Sequence, residues 1–123
     1  MSNSFNIINS EIKEISAENK SADLKAQIET LLNSSKVVLF MKGNAEMPQC
    51  GFSANSVAIL KNLGVSFNTF NILNDPEIRQ GLKERSNWPT YPQLYVKGQL
   101  IGGNDVITEM FKTGELQDFL KNN

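Results

Sequence analysis

Apolar residues along the chain fall into helical and strand-like periods in turn. Leu24, Ile28, Leu31 and Leu32 recur at helical spacing, and Ser21 is placed to cap that helix, which ends near Asn33. Val37-Val38-Leu39-Phe40-Met41 is an unbroken apolar run with β-branched residues, the pattern of a strand covered on both faces. From Ala54 to Leu63 the spacing is helical again, and Gly64 stops it. Val65 to Leu73 predicts a second strand, and the helical crossover makes the two strands a right-handed parallel pair. Asp75-Pro76-Glu77 supplies a cap, a proline at the first helical position and an acid in the first turn, with Ile78 and Leu82 facing inward. Ser86 to Pro92 is not expected to be helix, because Pro89 and Pro92 push the residues before them into extended geometry. Gln93 to Lys97 and Gln99 to Ile101 then read as an antiparallel hairpin turning at Lys97-Gly98. Asn104 and Asp105 both suit the cap of a helix through Val106, Ile107, Met110 and Phe111, stopped by Gly114. Leu116, Phe119 and Leu120 mark a last short helix.

This order, α-β-α-β-α-β-β-α-α, predicts an α/β domain over residues 21–123, with a central four-stranded mixed sheet flanked by helices on both faces. Residues 1–20 are rich in Ser, Asn and Glu and read as a mobile N-terminal extension. Ile8, Ile12 and Ile15 within it are spaced for a loose amphipathic helix.

Composition narrows the function classes. The chain has 123 residues, with 12 basic against 13 acidic side chains, so neither a nucleic-acid surface nor a polybasic membrane patch is expected. No apolar run approaches the roughly 20 residues of a membrane span. No basic start followed by an apolar block marks a signal peptide, and the first 20 residues have several acids and no Arg, unlike an intact mitochondrial presequence. One cysteine excludes an intrachain disulfide and the usual Cys/His zinc site within one chain. With no histidine, Cys-His and Ser-His dyads are also excluded.

That cysteine, Cys50, stands where a loop becomes a helix. A helix start carries unpaired N–H groups and about half a positive charge, and both favour a thiolate. Lys42, in the same loop, is a candidate cation to lower the thiol pKa further. A lone cysteine is commonly a small buried hydrophobe, but the polar and turn residues flanking Cys50 do not resemble core. Arg79 and Lys83 lie four apart on one helix face. By spacing they are either solvated charges or a cradle for a carboxylate. Gly102-Gly103 before a helix start is a second place where backbone N–H groups could hold an anion, and no nucleotide-binding glycine pattern is present.

Cys50-Gly51-Phe52-Ser53 resembles the CGFS signature of monothiol glutaredoxins, within the thioredoxin superfamily. Lys42, Trp88-Pro89-Thr90, Tyr91-Pro92-Gln93-Leu94 and Gly102-Gly103 with Asp105 match that family's other blocks in order, from about Ala22 to Leu120. The resemblance implies a thioredoxin-like fold with Pro92 as a cis-proline beside the site. It implies glutathione contacts at Lys42, Arg79, Thr90, Tyr91, Gly103, Asn104 and Asp105. Arg79, with Lys83, would take the glycine carboxylate, amides around Asn104 and Asp105 the γ-glutamyl carboxylate, and Thr90 and Tyr91 the tripeptide backbone. Many relatives carry a second cysteine where this chain has Asn104.

Ser53 occupies the place of a resolving cysteine, so the chain cannot cycle through its own disulfide. A [2Fe–2S] cluster usually takes four thiolates. One chain supplies one, so two chains and two glutathiones would complete the set. The leading expectation is therefore a homodimer that carries a [2Fe–2S] cluster bridged by two Cys50 thiolates and two glutathione thiolates, for transfer to apo iron–sulfur recipient proteins. The alternatives are a monothiol oxidoreductase that reduces glutathione mixed disulfides through Cys50, and a redox- or iron-sensing module for a BolA-like partner. A bacterial cytoplasm is the expected location, with a mitochondrial matrix as the alternative.

Overall fold

In the computed structural model, which describes residues 11–16 and 23–123, the chain runs β1 (Ile12–Ile15), α1 (Leu24–Leu32), β2 (Val37–Met41), α2 (Gly51–Leu63), β3 (Phe67–Asn71), a 3-10 turn (Ile72–Asn74), α3 (Pro76–Ser86), β4 (Gln93–Val96), β5 (Gln99–Gly102), α4 (Asn104–Thr113) and α5 (Glu115–Asn122). The strands form one sheet in the order β1-β3-β2-β4-β5. Both β1 and β2 run parallel to β3, whereas β4 is antiparallel to β2 and β5 antiparallel to β4.

The apolar run of β2 explains the layering. Successive strand residues point to opposite faces. Val37, Leu39 and Met41 pack against Val57 and Leu60 of α2, Ile107 of α4 and Leu116 of α5. Val38 and Phe40 pack on the other side against Ile28 and Leu32 of α1 and Ile78 and Leu82 of α3. Burying each such side chain contributes about 1.5–3 kcal/mol relative to exposure, so β2 ties both helical layers to one frame.

The sheet has five strands, not four. The extra one is β1, which falls in the stretch expected to be a mobile extension with a loose helix. Spacing of three between Ile12 and Ile15 suits one helix face, but in a strand it puts the two on opposite faces. Accordingly Ile12 packs on the α2/α4/α5 side and Ile15 on the α1/α3 side. The strand is anchored by the Phe67 N–H, which donates to the Glu11 carbonyl (2.7 Å), and by the Glu11 N–H, which donates to Ser66 Oγ (3.2 Å). Lys13 and Glu14 keep this edge charged and exposed. Ile8 and Ser21 lie outside the described residues; the residue at the N-cap of α1 is Asp23.

Other boundaries follow the expected chemistry with local changes. Asp75 Oδ1 accepts from the Ile78 N–H (3.1 Å) and Pro76 opens α3, as the cap pattern predicts. The second strand ends early, because Asn71 Oδ1 accepts from the Leu73 N–H (3.0 Å) and turns the chain into a 3-10 turn. Lys97 and Gly98 both have positive φ, 52° and 79°, as a two-residue hairpin turn of the favoured twist requires. The cap of α4 is Gly103, without a side-chain hydrogen bond, so neither Asn104 nor Asp105 is the cap.

Candidate functional site

β2 delivers the chain to a tight loop and then to Cys50. The loop closes on itself: the Gln49 N–H donates to the Lys42 carbonyl (2.8 Å), and Gly43 bridges to Pro48. Gly43 has φ 89°, and a Cβ there would sit 2.6 Å from both Gln49 N and Met47 O, so only glycine lets the two strands of the loop approach. Asn71 at the end of β3 steadies the same loop, accepting from the Gly43 N–H (3.0 Å).

Cys50 is the N-cap of α2, with extended φ −156° and ψ 136°, and its carbonyl accepts the first helical bond, from Ala54 (2.9 Å). Its thiol is half-buried and free. The backbone N–H of Ser53 is the main influence lowering the thiol pKa. Partial desolvation opposes it; the Phe52 N–H, the Lys42 ammonium and the Ser53 hydroxyl add to it, and the balance is a pKa below that of an ordinary cysteine. Lys42 thus acts as expected, behind the helix N–H groups. Ser53 is fully buried, and its Oγ accepts from the Lys42 N–H (3.2 Å), leaving its own hydrogen for the sulfur. Lowering the pKa stabilises the thiolate, so alkylation of Cys50 by iodoacetamide reaches its plateau at lower pH than that of free cysteine. Ser53→Ala removes the hydroxyl, the smallest of these influences, and moves this midpoint up only part of the way, because the N–H of residue 53 remains. A pH–rate series in iodoacetamide checks both.

A second wall comes from Trp88 to Pro92. The Tyr91-Pro92 peptide is cis. Gln93, fully buried, fixes the loop from below: its Nε2 donates to the Trp88 (3.0 Å) and Thr90 (3.2 Å) carbonyls, and its Oε1 accepts from the Tyr95 hydroxyl (2.8 Å). The Tyr91 hydroxyl donates to the Arg79 carbonyl (2.6 Å), which joins this loop to α3. Burial raises the Tyr91 pKa, so it remains a neutral donor. The third wall is Gly103 and the start of α4, where the Trp88 indole packs so close that a Cβ on Gly103 would lie 3.2 Å from its Nε1.

These walls enclose a cleft of about 460 Å³. Cys50 lies at it, and so do all seven residues expected to contact glutathione: Lys42, Arg79, Thr90, Tyr91, Gly103, Asn104 and Asp105. Lys83, Trp88 and Phe52 line it too. Lys42, Arg79 and Lys83 have no carboxylate partner among the described residues, while Asp105 stands at the α4 end. The cleft therefore offers a thiol, three unneutralised cations, and the first-turn amides of α4. It suits an extended ligand with carboxylates.

The glutaredoxin family model matches residues 37–101. An uncharacterized monothiol glutaredoxin of Synechocystis is 54% identical over 99 residues, 80% of this chain and 92% of that protein. The chain belongs to the monothiol glutaredoxins. Chloroplastic monothiol glutaredoxin-S14 of Arabidopsis thaliana is 57% identical over 84% of this chain and 60% of that longer protein. The solution structure of reduced poplar apo GrxS14 superposes with a TM-score of 0.72 at 50% identity, covering 80% of this chain and 91% of that one. The fold of this glutaredoxin is accordingly the thioredoxin-like α/β fold.

Several residues that build the site were not singled out for their roles by the sequence. Asn71 carries no local signal for its bond to Gly43, 28 residues away, and Gln93 bonds carbonyls three and five residues back that no periodicity of the sequence assigns to it. Asn104 was expected to cap α4, but its carboxamide turns toward α2 instead, where Asn55 and Ser56 bind it.

Proposed function

We propose that this glutaredoxin binds glutathione in the cleft and, as a homodimer, carries a [2Fe–2S] cluster for transfer to apo iron–sulfur proteins. The observation that carries the reading is the half-buried, activated Cys50 thiol facing a cleft with three cations that have no carboxylate partner among the described residues. In this reading Arg79 and Lys83 take one carboxylate of the tripeptide, and the amides of Asn104 and Asp105 take the other. The tripeptide sulfur then lies beside Cys50. Thr90 and Tyr91 pair with the tripeptide backbone through their own backbone groups, since the Tyr91 hydroxyl is already committed.

The cluster is cargo, and the donor set fits it. Among the described residues no group of three or more carboxylates and thiols could hold a metal, so one chain contributes Cys50 alone. Two chains and two glutathiones make four thiolates. Met47 and Phe52 are 68% and 61% exposed and lie close in sequence on either side of Cys50. Exposed apolar side chains next to a thiol suit coverage by a second protein surface, another copy or a recipient. Half of the ligands are exchangeable small molecules, so release to another protein needs no acid or base from this chain.

Anaerobic reconstitution with iron and sulfide, with and without glutathione, tests the reading. The expected product with glutathione is a brown dimer with thiolate-to-iron charge-transfer bands, and without it a colourless monomer. Colour that forms equally well without glutathione overturns the ligand set. If no cluster forms but glutathione mixed disulfides turn over rapidly, the oxidoreductase reading replaces this one.

A further inference from the structure

We infer that Asn104 is a positioning residue: its side chain clamps α4 to α2 and so sets the distance between the Cys50 thiol and the anion-binding start of α4. The inference rests on the tripeptide reading above for its effect on affinity, though not for the clamp itself. α2 carries Cys50 at its N-cap, and α4 begins at Asn104 across the cleft. Three side-chain hydrogen bonds bridge the two helices at these ends. Asn104 Oδ1 accepts from Asn55 Nδ2 (2.8 Å) and from Ser56 Oγ (3.1 Å). Asn55 Nδ2 also donates to Thr108 Oγ1 (3.0 Å), one helical turn further along α4. One residue of α2 thus grips two successive turns of α4.

The chemistry favours asparagine for this task. The carbonyl of a carboxamide has two lone pairs, enough for both donors at once. An aspartate would accept equally well but would put a second negative charge beside Asp105, where the tripeptide reading needs amides to meet a carboxylate. Ser56 is fully buried, so loss of the Asn104 oxygen leaves its hydroxyl without this partner in the core. The Asn104 side chain gives up the capping role that its position allows, and Gly103 caps α4 with backbone alone. Asn55 and Ser56 do not line the cleft. An effect of either on ligand affinity therefore has to pass through the clamp.

Asn55→Ala and Ser56→Ala separate positioning from contact. Glutathione affinity is measured by calorimetry on the whole chain, per folded molecule as judged by circular dichroism. Each variant is expected to bind about three- to tenfold more weakly, the size of one lost hydrogen bond. In the double-mutant cycle, Asn55→Ala adds little once Asn104→Ala is present. Wild-type affinity in both α2 variants, or full additivity in the cycle, overturns the clamp. Amide hydrogen exchange tests it independently of any ligand: Asn55→Ala is expected to speed exchange at Ile107 to Met110, and unchanged exchange there rejects the inference. If the unaltered protein itself fails to bind glutathione while exchange responds as expected, the tripeptide reading falls and the clamp stands.

Discussion

Cys50→Ser, reconstituted anaerobically with iron, sulfide and glutathione, stays colourless and monomeric. The reason is the sulfur inventory of the chain. Cys50 is its one cysteine, and there is no histidine to substitute as a ligand. Serine keeps the helix start, the loop and the cleft, but its hydroxyl remains protonated at neutral pH and is a poor ligand for iron beside sulfide. Removing even an outer-shell partner of a metal typically costs 10–100-fold in affinity. Loss of a protein ligand from both halves of a bridged cluster therefore lowers cluster content by about a hundredfold or more. Iron analysis, visible absorption and native mass measure it. Glutathione affinity should change little in the same variant, because Lys42, Arg79 and the α4 amides remain. A brown dimer formed by Cys50→Ser would remove the cysteine from the ligand set and the cluster reading with it.

What could be read along the chain depended on whether a residue's partner is local. Asp75 caps α3 as its neighbours predict, since donor and acceptor are three residues apart. The run Val37–Met41 reads as a doubly covered strand because its own pattern carries the information. Cys50 at a helix start was legible for the same reason, and the cleft residues were legible through their match to a family. Two of the three losses share one cause. Ile12 and Ile15 fit one face of a helix and two faces of a strand equally well by spacing, and only β3 as a neighbour decides between them. Asn104 has the right chemistry to cap its own helix, yet its oxygen is held by Asn55 and Ser56, far off in sequence. Asn71 ends a strand that apolar character alone would have continued to Leu73. For β1 and Asn104 a tertiary partner outweighed a local preference worth about 1 kcal/mol or less, whereas Asn71 acts on its own neighbour two residues on, a turn that apolar patterning does not register.

Arg79→Glu is expected to weaken glutathione binding by about a hundredfold or more while leaving the fold intact. Three half-buried cations face the cleft, and none has a carboxylate partner among the described residues. Of the three, only arginine offers a planar fork that matches a carboxylate in two bonds at once. A hydrogen bond to a charged group contributes about 1.5–3 kcal/mol, so loss of the fork alone costs about ten- to 150-fold. Reversing the charge adds repulsion between two carboxylates in a partly desolvated cleft, where salt screens less than it does at an open surface. The structural duties of Arg79 belong to its backbone: its N–H donates to the Asp75 carbonyl (3.0 Å) and its carbonyl accepts from the Tyr91 hydroxyl (2.6 Å). Neither needs the side chain, so α3 and the cis-proline loop stay in place. Lys42→Ala tests the same field from the other end, and it also removes one of the influences that lower the Cys50 pKa. The two variants therefore differ in a way that calorimetry and alkylation resolve together. Arg79→Glu loses the tripeptide with little change in thiol reactivity, whereas Lys42→Ala moves both. An Arg79→Glu protein that binds glutathione as tightly as the unaltered chain would mean that the cleft cations are solvated charges after all, as their spacing alone also allowed.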